Sequence, residues 1–168
     1  MAGSQSFDIT CECDLQEVDN AVNQAMKEIR QRYDFKGFAV SVELNRAENK
    51  IILRGPDDFK IRSMWDIVQE KMVRRSVPLK NLHPGKTLPA AGGTSVQEVS
   101  LQQGIPIETA REIVKFIKEL RIKKVQAEIQ GDQMRVSSPK RDDLQAVMAR
   151  IKEKDFGMEL KFGNYRSN

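Results

Sequence analysis

The side chains with the most chemical reach in this 168-residue chain are cations and amides, not nucleophiles. Lys124, Gln126 and Glu128 alternate with Val125, Ala127 and Ile129, so the polar three share one face of a strand. Arg135 falls on that strand's hairpin partner, and Lys161 on the strand that closes the pattern. Together they offer donors to phosphate oxygens and to the edges of a guanine base. Lys140 and Arg141 sit in the first turn of a helix, where free backbone N–H groups favour anions. Asn164 and Arg166, just past the last strand, extend the cluster, and Arg54, at the end of an earlier hairpin, is an outlying candidate on the same logic. The plain structural reading of the same residues is a solvated polar sheet face.

Other motifs carry less. Lys36-Gly37-Phe38-Ala39-Val40 looks like the start of an RNA-recognition signature, which sets stacking aromatics on an open sheet. Val40 and Val42 follow in phase with Phe38, which places that ring toward the core and leaves Lys36 as a candidate cation. Gly85-Lys86-Thr87 resembles the tail of a phosphate loop, but the glycine required five places earlier is Lys80. Asp142 and Asp143 are adjacent on a helix, so they diverge by about 100° and serve the helix dipole better than they serve acid–base work. His83 stands alone beside Pro84. Cys11 and Cys13 lie two apart on a strand, too close for an unstrained disulfide and too few for a zinc site. The expectation is no catalytic residue, no metal and no cofactor.

The elements that must position these residues follow from periodicity. Phe7, Ile9 and Cys11 alternate with polar neighbours as a strand, and a helix from about Asp14 to Arg32 follows, with Asp14 and Glu17 spaced as a capping box. A strand from Phe38 to Leu44, a turn at 45–49, a return strand at 50–54 and a helix begun by Gly55-Pro56-Asp57 complete a first set. Residues 76–95, with Pro78, Pro84, Gly85, Pro89, Gly92 and Gly93, read as a linker. The order then resumes: a strand at 96–103, a helix at 106–120, a hairpin turning at Gly131-Asp132, a helix opened by Pro139 and a last strand at 158–162. This divides the chain into repeats at 1–75 and 96–168, an α+β arrangement of two βαββαβ, ferredoxin-like units. Each repeat is marginal alone by surface-to-volume scaling.

Charge is asymmetric within that frame. The net charge is +4; residues 1–75 hold 12 basic and 13 acidic side chains, and residues 97–168 hold 14 and 11. An excess this small suits phosphates met at one site better than neutralisation of long nucleic acid. No apolar run is long enough to span a membrane and the start lacks a signal peptide's pattern, so the expected place is the cytoplasm.

Ser6-Phe7-Asp8-Ile9, the run from Asp14 to Ala21, Tyr33-Asp34-Phe35-Lys36-Gly37, the run from Lys124 to Asp132 and the run from Lys140 to Met148 resemble the YajQ family of bacterial nucleotide-binding proteins over nearly the whole chain. The resemblance implies a tandem of ribonucleoprotein-like (RNP-like) ferredoxin folds that exchange their N-terminal strands, the strand near Phe7 joining the second sheet and the strand near Val99 the first. It also implies binding of a nucleotide or RNA, with cyclic di-GMP as one ligand of the family; the expectation is a monomer that binds cyclic di-GMP, GTP or RNA, with a protein or DNA partner downstream and no membrane. The competing expectation is an interaction module with no nucleotide ligand.

Overall fold

The computed structural model describes residues 4–167. It is an α+β chain with two antiparallel sheets and four helices. The chain separates into two compact units, one made of residues 12–103 and the other of residues 1–11 with 104–168.

In the continuous unit, α1 (Leu15–Gln31) and α2 (Asp58–Arg74) cover one face of a sheet. That sheet orders β2 (Ser41–Asn45), β3 (Lys50–Gly55), β6 (Ser95–Leu101) and β4 (Leu82–Pro84), with β5 (Leu88–Pro89) also pairing with β6. Asp14 caps α1, its Oδ1 accepting from the Gln16 and Glu17 amides at 3.0 and 3.3 Å. The reciprocal half of the expected capping box is spent elsewhere: the Glu17 carboxylate accepts from Asn20 Nδ2 at 2.9 Å. Asp57 caps α2 through the Lys60 amide at 2.8 Å. Val18, Val22, Ala25 and Ile29 from α1 meet Ile61, Met64, Val68 and Met72 from α2 over Ile51, Leu53 and Val99. The Pro- and Gly-rich stretch at 76–95 is tied into this sheet, with Val77, Asn81 and Leu82 buried and β4 and β5 hydrogen-bonded to β6.

Phe38 departs from its expected place. A 3-10 turn at Tyr33–Phe35 and a left-handed Gly37 (φ +84°) delay the strand to Ser41, so Phe35 enters the core at 3% exposure while Phe38 stays outside it at 48%.

The second unit orders its sheet β7 (Gln126–Gln130), β8 (Gln133–Ser138), β1 (Gln5–Thr10) and β9 (Lys161–Ser167). β1 is thus an interior strand, antiparallel to β8 on one edge and to β9 on the other. Phe7 and Ile9, fully buried, project from β1 with Met134 and Val136 of β8 into a core closed by α3 (Ile107–Glu119) and α4 (Arg141–Glu153). Fully burying side chains of this size is worth about 1.5–3 kcal/mol each. The last strand runs to Ser167, beyond the expected limit at residue 162, because its far half pairs with Gln5 and Ser6.

Gly104 begins the second segment of this unit. Its amide donates to the Cys11 carbonyl at 2.6 Å, its φ is +83°, and an added Cβ would lie 2.7–3.0 Å from the Asp132 side chain. Left-handed backbone costs a non-glycine residue about 1–2 kcal/mol before that overlap is relieved. Gly104→Ala should therefore lower the urea midpoint of unfolding by an amount equivalent to about 2 kcal/mol or more; an unchanged midpoint would show that the loop relaxes freely.

Candidate functional site

Because side chains alternate along strands, the face of the second unit's sheet opposite α3 and α4 is fixed by register. One row across it reads Gln126, Ser137, Ser6, Arg166; the next reads Glu128, Arg135, Asp8, Gly163. A further row brings Gln130 opposite Gln133 and Thr10 opposite Lys161. No aromatic residue stands in these rows, so base stacking has no platform here.

Asp8 is the centre of the face. It is 4% exposed, and its carboxylate is held from three sides. Arg135 Nε donates to Oδ1 at 3.0 Å, Asn164 Nδ2 donates to Oδ2 at 2.7 Å, and an Arg166 terminal amine lies 4.0 Å from Oδ2. Asn164 reaches it because β9 carries an irregularity between its pairings with Asp8 and Ser6, where Asn164 takes a left-handed φ of +54°. Burial pushes the Asp8 carboxyl upward, but the hydrogen bonds from Arg135 and Asn164 and the charges of Arg135 and Arg166 outweigh it and hold it below the ordinary value of 3.8. Two guanidiniums against this one buried carboxylate leave a positive remainder. Among the described residues Arg135 is engaged only through Nε, so its two terminal amines keep their donors.

The structure brings together five of the residues expected from sequence: Gln126, Arg135, Lys161, Asn164 and Arg166. Asn164 and Arg166 lie within β9 rather than past its end. Lys124 is not on the strand face. It occupies a left-handed turn position (φ +63°) two residues before β7, so it does not share the alternation of Gln126 and Glu128. Lys140 and Arg141 belong to the helix-covered side: Lys140 is the N-cap of α4, and the Arg141 guanidinium lies 5.6 Å from the centroid of the Tyr165 ring. Tyr165 in turn hydrogen-bonds the Gln5 side chain through its hydroxyl.

Lys36 and Arg54 are in the other unit. Arg54 stands between Ser41 and Val96 on that unit's open sheet face, where Lys50 is neutralised by Glu48 and Glu98 at 2.6 and 3.0 Å. Asp8 was missed because nothing local marks it. Its only signal is an acid between two core residues, Phe7 and Ile9, and its burial comes from strands far along the chain.

The fold and this face define a small α+β protein with a polar platform of donors set around one buried carboxylate. A family model described as nucleotide-binding protein YajQ-like matches residues 5–166. A nucleotide-binding protein of Solibacter usitatus is 49% identical over 163 residues, covering 97% of this chain and 98% of that protein. One from Carboxydothermus hydrogenoformans is 51% identical over 166 residues, covering 99% and 100%, and one from Elusimicrobium minutum is 50% identical over 161 residues, covering 96% and 98%. The chain belongs to the YajQ family.

The lowered pKa of Asp8 fixes a sign for pH dependence. A carboxyl whose folded value lies below its unfolded one adds stability that is complete above the unfolded value and is lost as pH falls through the folded one. Urea midpoints of the wild type should therefore hold steady above about pH 5 and fall below about pH 4. Asp8→Asn should lower the midpoint near neutrality and show a weaker fall in acid. An equal fall in both proteins would remove Asp8 from the acid response.

Proposed function

We propose that this chain is a non-enzymatic nucleotide-binding protein whose ligand is a phosphate-bearing guanine nucleotide, with cyclic di-GMP and GTP the leading candidates, held on the open sheet face of the second unit. The observation that carries the reading is the pinning of Arg135 by Asp8. The bond to Nε fixes the guanidinium plane and leaves its terminal amines as a preorganised fork for a phosphate or for guanine O6 and N7. Glu128, directly across from Arg135, is an exposed acceptor of the type that takes guanine's N1–H and amino protons. Arg166 and Lys161 add cations along β9. The printed names of the relatives, nucleotide-binding proteins, support the same class of ligand.

Within this reading the sequence repeats 1–75 and 96–168 are ferredoxin-like and exchange their opening strands, which is why the compact units run 12–103 and 1–11 with 104–168; the pairing of β1 with β8 and β9, and of β6 with β3 and β4, supports it. The protein works as a cytoplasmic monomer, and ligand on the sheet changes its contacts with a protein or DNA partner. No described helix is long and apolar enough to cross a membrane. A folded RNA on the same face is the second ligand to test. It differs in salt response, because RNA binding falls steeply with added salt while a single dinucleotide gives a shallow slope.

Calorimetric titration with cyclic di-GMP, GTP and a folded RNA at two salt concentrations tests the assignment. Losing a charged hydrogen bond costs about 1.5–3 kcal/mol, so Arg135→Ala should weaken the favoured ligand about 10- to 100-fold. Arg166→Ala and Lys161→Ala, whose side chains are exposed, should weaken it less and without loss of fold. Failure of all three ligands to bind at micromolar concentrations would overturn the reading, and undiminished binding in all three variants would move the site off this face.

A further inference from the structure

The turn after α1 gathers aromatic rings and cations in a way neither the core nor the sheet face accounts for. Tyr33 is 87% exposed, Phe38 48%, and Phe59, at the start of α2, 69%. Phe35 between the first two is the buried anchor. Around it the cations are ordered. Arg32 is held by both carboxylate oxygens of Asp34 at 3.0 and 2.9 Å and lies 5.4 Å from the Phe35 centroid. Lys60 Nζ donates to the Asp34 carbonyl and sits 5.4 Å from the Phe35 ring and 5.1 Å from the Phe38 ring. Lys36 Nζ lies 6.0 Å from the Tyr33 ring. Nothing stands within 4 Å of where a Cβ on Gly37 would be, so the space beside the turn is open.

The charge balance of this patch is positive. Asp34 pairs with Arg32 and Asp58 with Arg62 at 2.9 Å, while Asp57 caps α2 through the Lys60 amide, so Arg32, Lys36, Lys60 and Arg62 exceed the acids by one charge. Among the described residues Lys36 and Lys60 form no ion pair with a carboxylate within 4.0 Å, although Lys60 lies near enough to Asp34 to favour its charged form. Exposed rings mark an interaction surface when they are gathered in one patch, as Tyr33 and Phe38 are around the Phe35 turn. Rings interleaved with lysines, over a turn already fixed by a buried anchor and a bidentate ion pair, suit the faces of unpaired bases together with their phosphates. An apolar protein partner would not match the lysines set against the rings.

We propose that Tyr33 and Phe38, with Lys36 and Lys60, form a stacking surface for single-stranded nucleic acid on the continuous unit, separate from the sheet face of the other unit. Bases stack on the exposed rings and the two lysines neutralise adjacent phosphates. The Lys36-Gly37-Phe38 motif thus serves a turn-borne surface in place of a sheet-borne one.

Anisotropy titration of the full chain with a short, labelled, unstructured RNA of A and C tests this. The wild type should bind it, and Tyr33→Phe should bind as the wild type does. Tyr33→Leu and Phe38→Leu, which keep apolar bulk but remove the ring, should each weaken binding about 5- to 100-fold. Lys36→Gln and Lys60→Gln should each flatten the slope of log affinity against log salt by about 0.7. Arg166→Ala and Lys161→Ala report on the sheet face, and Tyr33→Leu should leave cyclic di-GMP binding unchanged, so failure at either surface is read separately. Thermal melts of each variant check the fold. No binding by the wild type, leucine variants that bind as tightly as the wild type, or loss of RNA binding only in the Arg166 and Lys161 variants would each overturn the proposal.

Discussion

Everything in the second unit depends on one strand being hydrogen-bonded along both edges. β1 places Phe7 and Ile9 beneath the helices and Asp8 on the opposite face, and its partners on either side come from the far end of the chain. An interior strand of this kind sets two constraints together. Its buried face closes the core, and its polar face must satisfy whatever it carries, since a buried charge without partners is expensive. The partners that satisfy Asp8 are Arg135 from one neighbour and Asn164 and Arg166 from the other, so the same pairing that builds the core also assembles the polar cluster.

The two units use similar materials to different ends. On the continuous unit's sheet the one lysine of β3 that faces outward is absorbed by Glu48 and Glu98, while the aromatic residues with cations gather at the turn after α1. On the other unit's sheet the rings are absent from the open rows and the arginines retain donors. Charge counts alone would not separate these surfaces. What separates them is how many of the cations have already been neutralised by a neighbouring carboxylate.

The helices and most strand alternations were legible because their signals are local. Asp14 and Asp57 are caps whose partners lie within three residues, and the apolar spacing of α1 and α3 marks the buried stripe directly. The misplaced features need information that is not local. Phe38 is in phase with Val40 and Val42, yet a left-handed Gly37 before it breaks the phase. Lys124 continues the alternation of β7 on paper, but its own left-handed backbone puts it in the turn. The polar end of β9 has no strand-like composition, and it is a strand because Gln5 and Ser6 lie alongside it. Of the candidate site, the cations and amides of β7, β8 and β9 could be named from spacing, whereas the carboxylate that organises them could not.

The division of the chain also orders events in time. The unit spanning residues 12–103 is continuous, so every strand it pairs has been synthesised before residue 104 is added. The first strand is synthesised earliest, yet its neighbours β8 and β9 are among the last segments made. Through most of synthesis Phe7 and Ile9 therefore have no core to enter, and both edges of a short apolar strand stand open to mispairing. The acid between those two residues gives that waiting segment a charge, which discourages association until Arg135 and Asn164 arrive to claim it.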